Sequence, residues 1–307
     1  MTGRFRAEAP TWAALALCYG VYAALTLTAP HAPFGVAYIG LAVVIAFHSS
    51  LQHEMIHGHP TRWPLINEAL VFAPLGLSFP YRRYRDLHLS HHQDARLTDP
   101  YDDPESWYLD PAAWARLPAP MRRLLIANNS ALGRMAIGPA ISILRFLLSE
   151  ARLAAAGCGD VIVAWALHLI GAAMVVAWLI HAGVSPLPYA AACYAGLSLI
   201  NLRSFLEHRA EERVRGRSAI VEDSGPLALL YLNNNLHAVH HAHPELPWWA
   251  LPARYRAHRD RFLEMNGGYV FPSYWAVLAR HGLAPKEPPA HPLMPGAPAP
   301  ASAPEPR

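Results

Sequence analysis

Four uncharged apolar runs decide what this chain can become. Trp12–Ala29, Phe34–Leu51, Val161–Ile180 and Val184–Leu202 contain no Asp, Glu, Lys or Arg. A helix of about 20 apolar residues matches the hydrocarbon core of a bilayer, and its backbone polar groups are bonded internally. A soluble fold can bury one such run; two closely spaced pairs point to membrane helices. The pairs are joined by Pro30–Pro33 and His181–Gly183, and neither connection carries a Lys or Arg. All 25 basic residues lie before the first run, between the second and third, or after the fourth. Basic residues stay on the cytoplasmic side, so both termini and the long middle stretch are expected there.

The expected fold is all-α and polytopic: two transmembrane helical hairpins, about four spans, carrying a cytoplasmic helical cap. Leu65–Phe79 is shorter, contains Glu68 and Pro74, and reads as re-entrant or interfacial. The run after Arg4 and Arg6 is too long for a cleavable signal peptide and lacks a clear cleavage site. Ala284–Arg307 is dominated by Pro and Ala and reads as a disordered tail on a membrane domain of residues 1–283. Three cysteines, Cys18, Cys158 and Cys193, are too few for a disulfide scaffold and read as packing residues. A net charge of +3 gives no case for nucleic acid as a partner.

The chain has 18 histidines, and much of that excess falls in three clusters. His53-Glu54-Met55-Ile56-His57 lies at the cytoplasmic end of the second run. His88-Leu89-Ser90-His91-His92 and His237-Ala238-Val239-His240-His241 repeat one spacing, H-x-x-H-H. On a helix, residues i, i+3 and i+4 share a face, so each cluster presents its imidazoles together. Neutral imidazole suits iron, zinc, copper and nickel. Eight such rings are too many for one tetrahedral zinc and suit two ions. His208 follows the fourth run as His53 ends the second, and is a further candidate ligand. His48 is a candidate neighbour of the site, whereas His59 and His243 flank it. His168 lies mid-membrane and reads as a packed, satisfied group.

The first cluster also reads H-E-x-x-H, the pattern of a zinc protease in which Glu54 would activate water. That reading leaves His88, His91, His92, His237, His240 and His241 without a task. A membrane metal transporter would want more polar groups within its spans than His168 alone.

Taken together, H-E-M-I-H, H-L-S-H-H and H-A-V-H-H, in this order around membrane hairpins, resemble the histidine boxes of integral-membrane fatty acid desaturases. The resemblance covers roughly residues 34–249, and Asn233-Asn234-Asn235-Leu236 is similar to bacterial members. It implies an enzyme of a bacterial inner membrane that uses O₂, two electrons and a non-haem di-iron centre to act on a C–H bond. Desaturation of a fatty acyl or related lipid is the expected reaction; hydroxylation or ketolation of a lipid, carotenoid or small amphiphile is the alternative. The implied metal ligands are His53, His57, His88, His91, His92, His208, His237, His240 and His241, with no catalytic residue beyond them. Animal members place a water-linked asparagine four residues before the additional histidine; here that position is Ser204, and Asn201 lies one turn further back.

Glu54, Asp86, Asp94, Asp99 and Glu207 are candidates to orient the imidazoles through their second N–H. No C-x-x-C pair, haem-attachment motif or dinucleotide fingerprint is present, so a separate ferredoxin- or cytochrome-type donor is expected. Arg82, Arg83, Arg85, Arg209, Arg213, Arg215 and Arg217 form a candidate basic face for that donor or for anionic lipid. Leu65–Phe79 and Ala131–Leu148 are the candidate lining for an acyl chain.

Overall fold

The computed structural model describes residues 8–31 and 35–297. Arg4, Arg6, part of the first connection (32–34) and residues 298–307 of the expected tail lie outside the described residues. The long helices are α1 (Ala9–Thr28) and α2 (Val36–Ile56), then α7 (Ala131–Ala155), α8 (Gly159–His181) and α9 (Pro186–Glu207). Between α2 and α7 come α3 (Pro64–Leu70), α4 (Tyr81–His91), α5 (Pro111–Arg116) and α6 (Ala119–Asn128). After α9 come α10 (Pro226–Leu230), α11 (His237–Ala242), α12 (Leu251–Ala257), α13 (Arg259–Met265) and α14 (Tyr274–His281). Proline opens many of these helices, including α3, α5, α9 and α10. There its missing N–H costs nothing, because the first-turn donors have no intrahelical partner.

Four helices are long and apolar enough to cross a membrane: α1, α2, α7 and α8. The expected run Val184–Leu202 falls in α9, which is not among these four, and Ala131–Leu148, expected as a lining segment, falls in α7. α9 forms a helix of 22 residues, but prolines, tyrosines and Asn201 make it less apolar. It packs chiefly against α2 and α7. α7 carries Arg134 and Glu150 near its two ends. Both are buried: Arg134 stacks on the Trp107 ring at 3.7 Å, and Glu150 accepts from Arg83 at 2.9 Å.

Two residues of strand, β1 (Ile220–Val221), pair in parallel with β2 (Val270–Phe271), Ile220 facing Val270. This small brace sits under α11: Ala238 donates to Ala219 O at 2.9 Å and Val221 to Asn235 O at 2.8 Å. Ile220 and Val239 are fully buried there with Leu251 and Phe262.

The expected disordered tail is not free at its start. Leu109 donates to Pro289 O at 2.8 Å, His291 donates to Leu109 O at 2.9 Å, and Ala290 is buried. Frequent prolines cannot sustain a helix here, but an extended strap needs only backbone partners, and Leu109 supplies them.

Candidate metal centre

Nine histidines meet in two groups. His53, His57, His88, His92 and His240 form the first; His91, His208, His237 and His241 form the second. Within each group the candidate ligand atoms all lie within 4.8 Å of one another. The groups share a wall, because the rings of His92 and His241 stack at 4.3 Å between centroids.

The H-x-x-H-H spacing divides each box instead of aiming it at one point. Residues advance about 100° per step around a helix, so i+3 and i+4 fall on opposite sides of i. In the second box the i, i+4 pair His88 and His92 joins the first group, and His91 joins the second. The third box does the reverse: His237 and His241 join the second group, and His240 the first. His53 and His57, an i, i+4 pair at the end of α2, complete the first group; His208, just past α9, completes the second.

The outer nitrogens are held by fixed acceptors. His88 donates from Nδ1 to Glu105 Oε1 at 2.9 Å, and His91 from Nδ1 to Asp103 Oδ1 at 2.8 Å. His237 donates from Nδ1 to Asn234 Oδ1 at 3.1 Å, and Asn234 Nδ2 in turn donates to Glu207 Oε1 at 3.1 Å. A neutral imidazole that donates from Nδ1 presents a bare lone pair at Nε2. Those Nε2 atoms crowd inward. His88 Nε2 lies 3.0 Å from those of both His57 and His92, and His92 Nε2 lies 3.1 Å from that of His240. In the second group His91–His208, His208–His237 and His237–His241 are 2.9, 3.0 and 3.1 Å apart. His53 Nε2 is buried and has no hydrogen-bond partner among the described residues.

Lone pairs this close repel unless a cation lies among them, and protons are disfavoured. Burial, followed by neighbouring His88 and His241, pushes His57 down to about 2. Burial likewise holds His92, His208, His237 and His240 below the ordinary histidine value, with neighbouring rings adding to it. His91 goes the other way. Burial opposes its charge, but Glu105 and Asp103 outweigh that and raise it to about 9. Convergent imidazoles that, His91 apart, disfavour protons, three of them with oriented outer N–H groups, are compatible with a metal site.

Of the expected orienting acids, Glu207 reaches the site, 3.4 Å from His237 Nδ1. Glu54 does not: it accepts from the Trp248 backbone N–H at 3.0 Å, away from the ligand atoms. Asp86 pairs with Arg85 and Asp99 caps the Tyr101 and Asp102 N–H groups. The side chain of Asp94 lies outside the described residues. Asp103 and Glu105 went unnoticed in the sequence, although Asp99-Pro100-Tyr101-Asp102-Asp103-Pro104-Glu105 is an acid-rich run just past the second box. His48 approaches Tyr19 OH at 3.2 Å and His59 pairs with Glu8 at 2.7 Å, so both tie α1 to its surroundings. Ser204 lines a small cavity with His208 and Glu207.

The asparagine run before the third box has a structural use at each position. Asn233 adopts φ 57°, where asparagine is better tolerated than most residues, and donates to Trp248 O at 3.1 Å. Asn235 donates to Val221 O at 2.7 Å and fixes α11 on the brace.

The fatty acid desaturase family model matches residues 27–273, a span that includes every one of these histidines. The chain belongs to the fatty acid desaturase family. No curated protein matches it. Family membership and four membrane-length apolar helices make this desaturase relative an oxidoreductase of the membrane-protein class. Much of the expected basic face is already engaged. Arg82 pairs with Glu68 at 2.7 Å, Arg83 with Glu150 at 2.9 Å, and Arg217 donates to Leu97 O at 2.9 Å. Arg215 instead lines a cavity of about 320 Å³ with Arg254 and Arg261, and His241 borders it.

Proposed function

We propose that this chain is an O₂-dependent membrane desaturase that introduces a double bond into a fatty acyl or related lipid, with one iron ion in each histidine group. The observation that carries the reading is the division of nine imidazoles into groups of five and four in a fatty acid desaturase family member. When bound, the iron pair supplies the oxidising power to remove hydrogen from unactivated C–H bonds, using O₂ and two electrons. The protein's part is geometry. Glu105, Asp103 and Asn234 hold His88, His91 and His237 in the tautomer that faces inward.

A cavity of about 40 Å³ marks where the acyl chain would enter, and it must widen to hold one. It lies between α2, the loop at 74–79 and α9, and is lined by Ser49, Gln52, Phe79 and Ile200. Ser49 stands four residues before His53, on the same face of α2, so a chain lying there runs toward the first group. α7 does not line it. Electrons enter from a separate donor at the 320 Å³ cavity beside His241. Three arginines and no acid line that cavity, which favours an acidic protein surface. With both termini and the histidine groups on the cytoplasmic side, the donor reaches the site without crossing the bilayer.

The protease reading loses its general base, since Glu54 is committed to the Trp248 backbone. The test is paired. Iron per purified chain should approach two, and lipids from cells making the chain should include acyl species lighter by two hydrogens. One zinc per chain with unaltered lipids would overturn the reading; species heavier by one oxygen would replace desaturation with hydroxylation.

A further inference from the structure

Every ligand but one sits on or beside a helix with a second ligand three or four residues away. His208 stands alone. α9 ends at Glu207, and His208 is already extended, at φ −132° and ψ 151°. Its ring must still reach His91 Nε2 at 2.9 Å and His237 Nε2 at 3.0 Å. One side of its backbone is held by an antiparallel bridge to Ser218. The other side meets Lys286, the chain's single lysine beside 24 arginines.

The Lys286 ammonium is buried at the end of α9. It donates to His208 O at 2.6 Å and Phe205 O at 2.9 Å, and lies 2.8 Å from Glu287 Oε1. Three N–H donors therefore meet three oxygens. The last carbonyls of a helix have no intrahelical partner, and a cation there also opposes the negative end of the helix dipole. A tetrahedral ammonium can serve acceptors converging on one point, whereas a planar guanidinium cannot. The lysine is itself anchored: its backbone N–H donates to Asn129 O at 2.8 Å, and the strap after it pairs with Leu109.

We propose that Lys286 is a positioning residue for the second histidine group, setting the backbone of His208 so that its imidazole completes the site. The proposal rests on the reading of that group as a metal site. It assigns a role in metal retention to a segment whose composition suggests an idle tail.

The experiment uses the full chain in detergent, stripped of metal and titrated with cobalt(II), whose visible absorption reports each site's geometry. The unaltered chain should bind two ions and His241→Ala one; if the unaltered chain binds none at the second group, the metal reading itself fails. Lys286→Met keeps the length of the side chain and removes its donors. It should weaken the second site at least tenfold and alter that site's spectrum, leaving the first site unchanged. Glu287→Gln, which keeps an acceptor oxygen, should behave like the unaltered chain. Two sites of unaltered affinity and spectrum in Lys286→Met would overturn the proposal. So would equal weakening of both sites, since that is general loosening of the fold.

Discussion

Replacing Asp103 by Asn should change metal affinity in a way that depends on pH. Asp103 is buried, accepts Nδ1–H of His91 at 2.8 Å, and also accepts from the Thr98 and Glu105 backbone N–H groups at 2.8 and 2.9 Å. Losing a carboxylate behind a ligating histidine weakens metal binding about 10–100-fold. The proton on His91 adds a second effect. With its pKa raised to about 9, the metal-free chain keeps that proton at neutral pH. Displacing it at pH 7 costs free energy on the order of 3 kcal/mol. The sign follows. In the metal-free protein, stability from the charged ring is complete below the unfolded histidine value and fades as pH rises through about 9. Metal affinity of the second group does the opposite, rising about tenfold per unit from pH 7 to 9 before levelling. In Asp103→Asn Glu105 and Glu207 still raise His91 but the Asp103 contribution is lost, so the proton competes less. The variant should be about 10–100-fold weaker at pH 9, with the gap closing toward pH 7. Cobalt(II) titration of the stripped chain across this range measures both curves. A gap of constant size, or no gap at pH 9, would refute the linkage between Asp103 and the proton on His91.

Other substitutions test the division of the boxes and the fate of the first glutamate. His240→Ala and His241→Ala are neighbours in sequence, yet they should empty different groups: the first should mimic His57→Ala and the second His208→Ala in metal content and spectrum. Matching spectra for His240→Ala and His241→Ala would contradict the crossing. Glu54→Gln keeps an acceptor for the Trp248 N–H and should retain most turnover, whereas Glu54→Ala should cost about 1–3 kcal/mol of stability by stranding that donor. Thermal denaturation and a turnover assay separate these outcomes. Ser49→Phe should fill the narrow cavity beside α2 and shift products toward shorter chains with iron content intact; an unchanged product profile would place the acyl chain elsewhere.

The clustering of the histidines was legible because helix geometry is strict: spacings of three and four residues must place rings close together. Their division into two sets was not, since it depends on which neighbour lies on each side of α4 and α11. The carboxylates behind the rings were harder still. Asp103 returns to His91 through a turn in which Thr98 takes φ 70° and Ser106 donates to Thr98 O at 2.9 Å, and that return has no periodic signature. α7 read as a lining segment and not as a span because Arg134 and Arg145 break its apolar run, although Arg134 is sheltered over Trp107. The strap at Lys286 was misjudged for a related reason. Composition reports whether a segment can build its own helix or sheet; it does not report whether a neighbour offers unpaired backbone groups.

The same division explains how such short elements can carry a site. α4 has 11 residues and α11 only six, lengths at which an isolated helix is marginal in water. Each nonetheless supplies rings to both groups, so one ion would link α2, α4 and α11, and the other α4, the end of α9 and α11. Metal binding would then be folding energy for the membrane-proximal cap, because its ligands come from segments far apart in the chain. The protein alone provides part of that order: the β1–β2 brace seats α11, Asp103 and Glu105 orient the rings of α4, and Lys286 closes the end of α9. These supports sit behind the rings and not between them, which would leave the inward nitrogens free for the proposed ions.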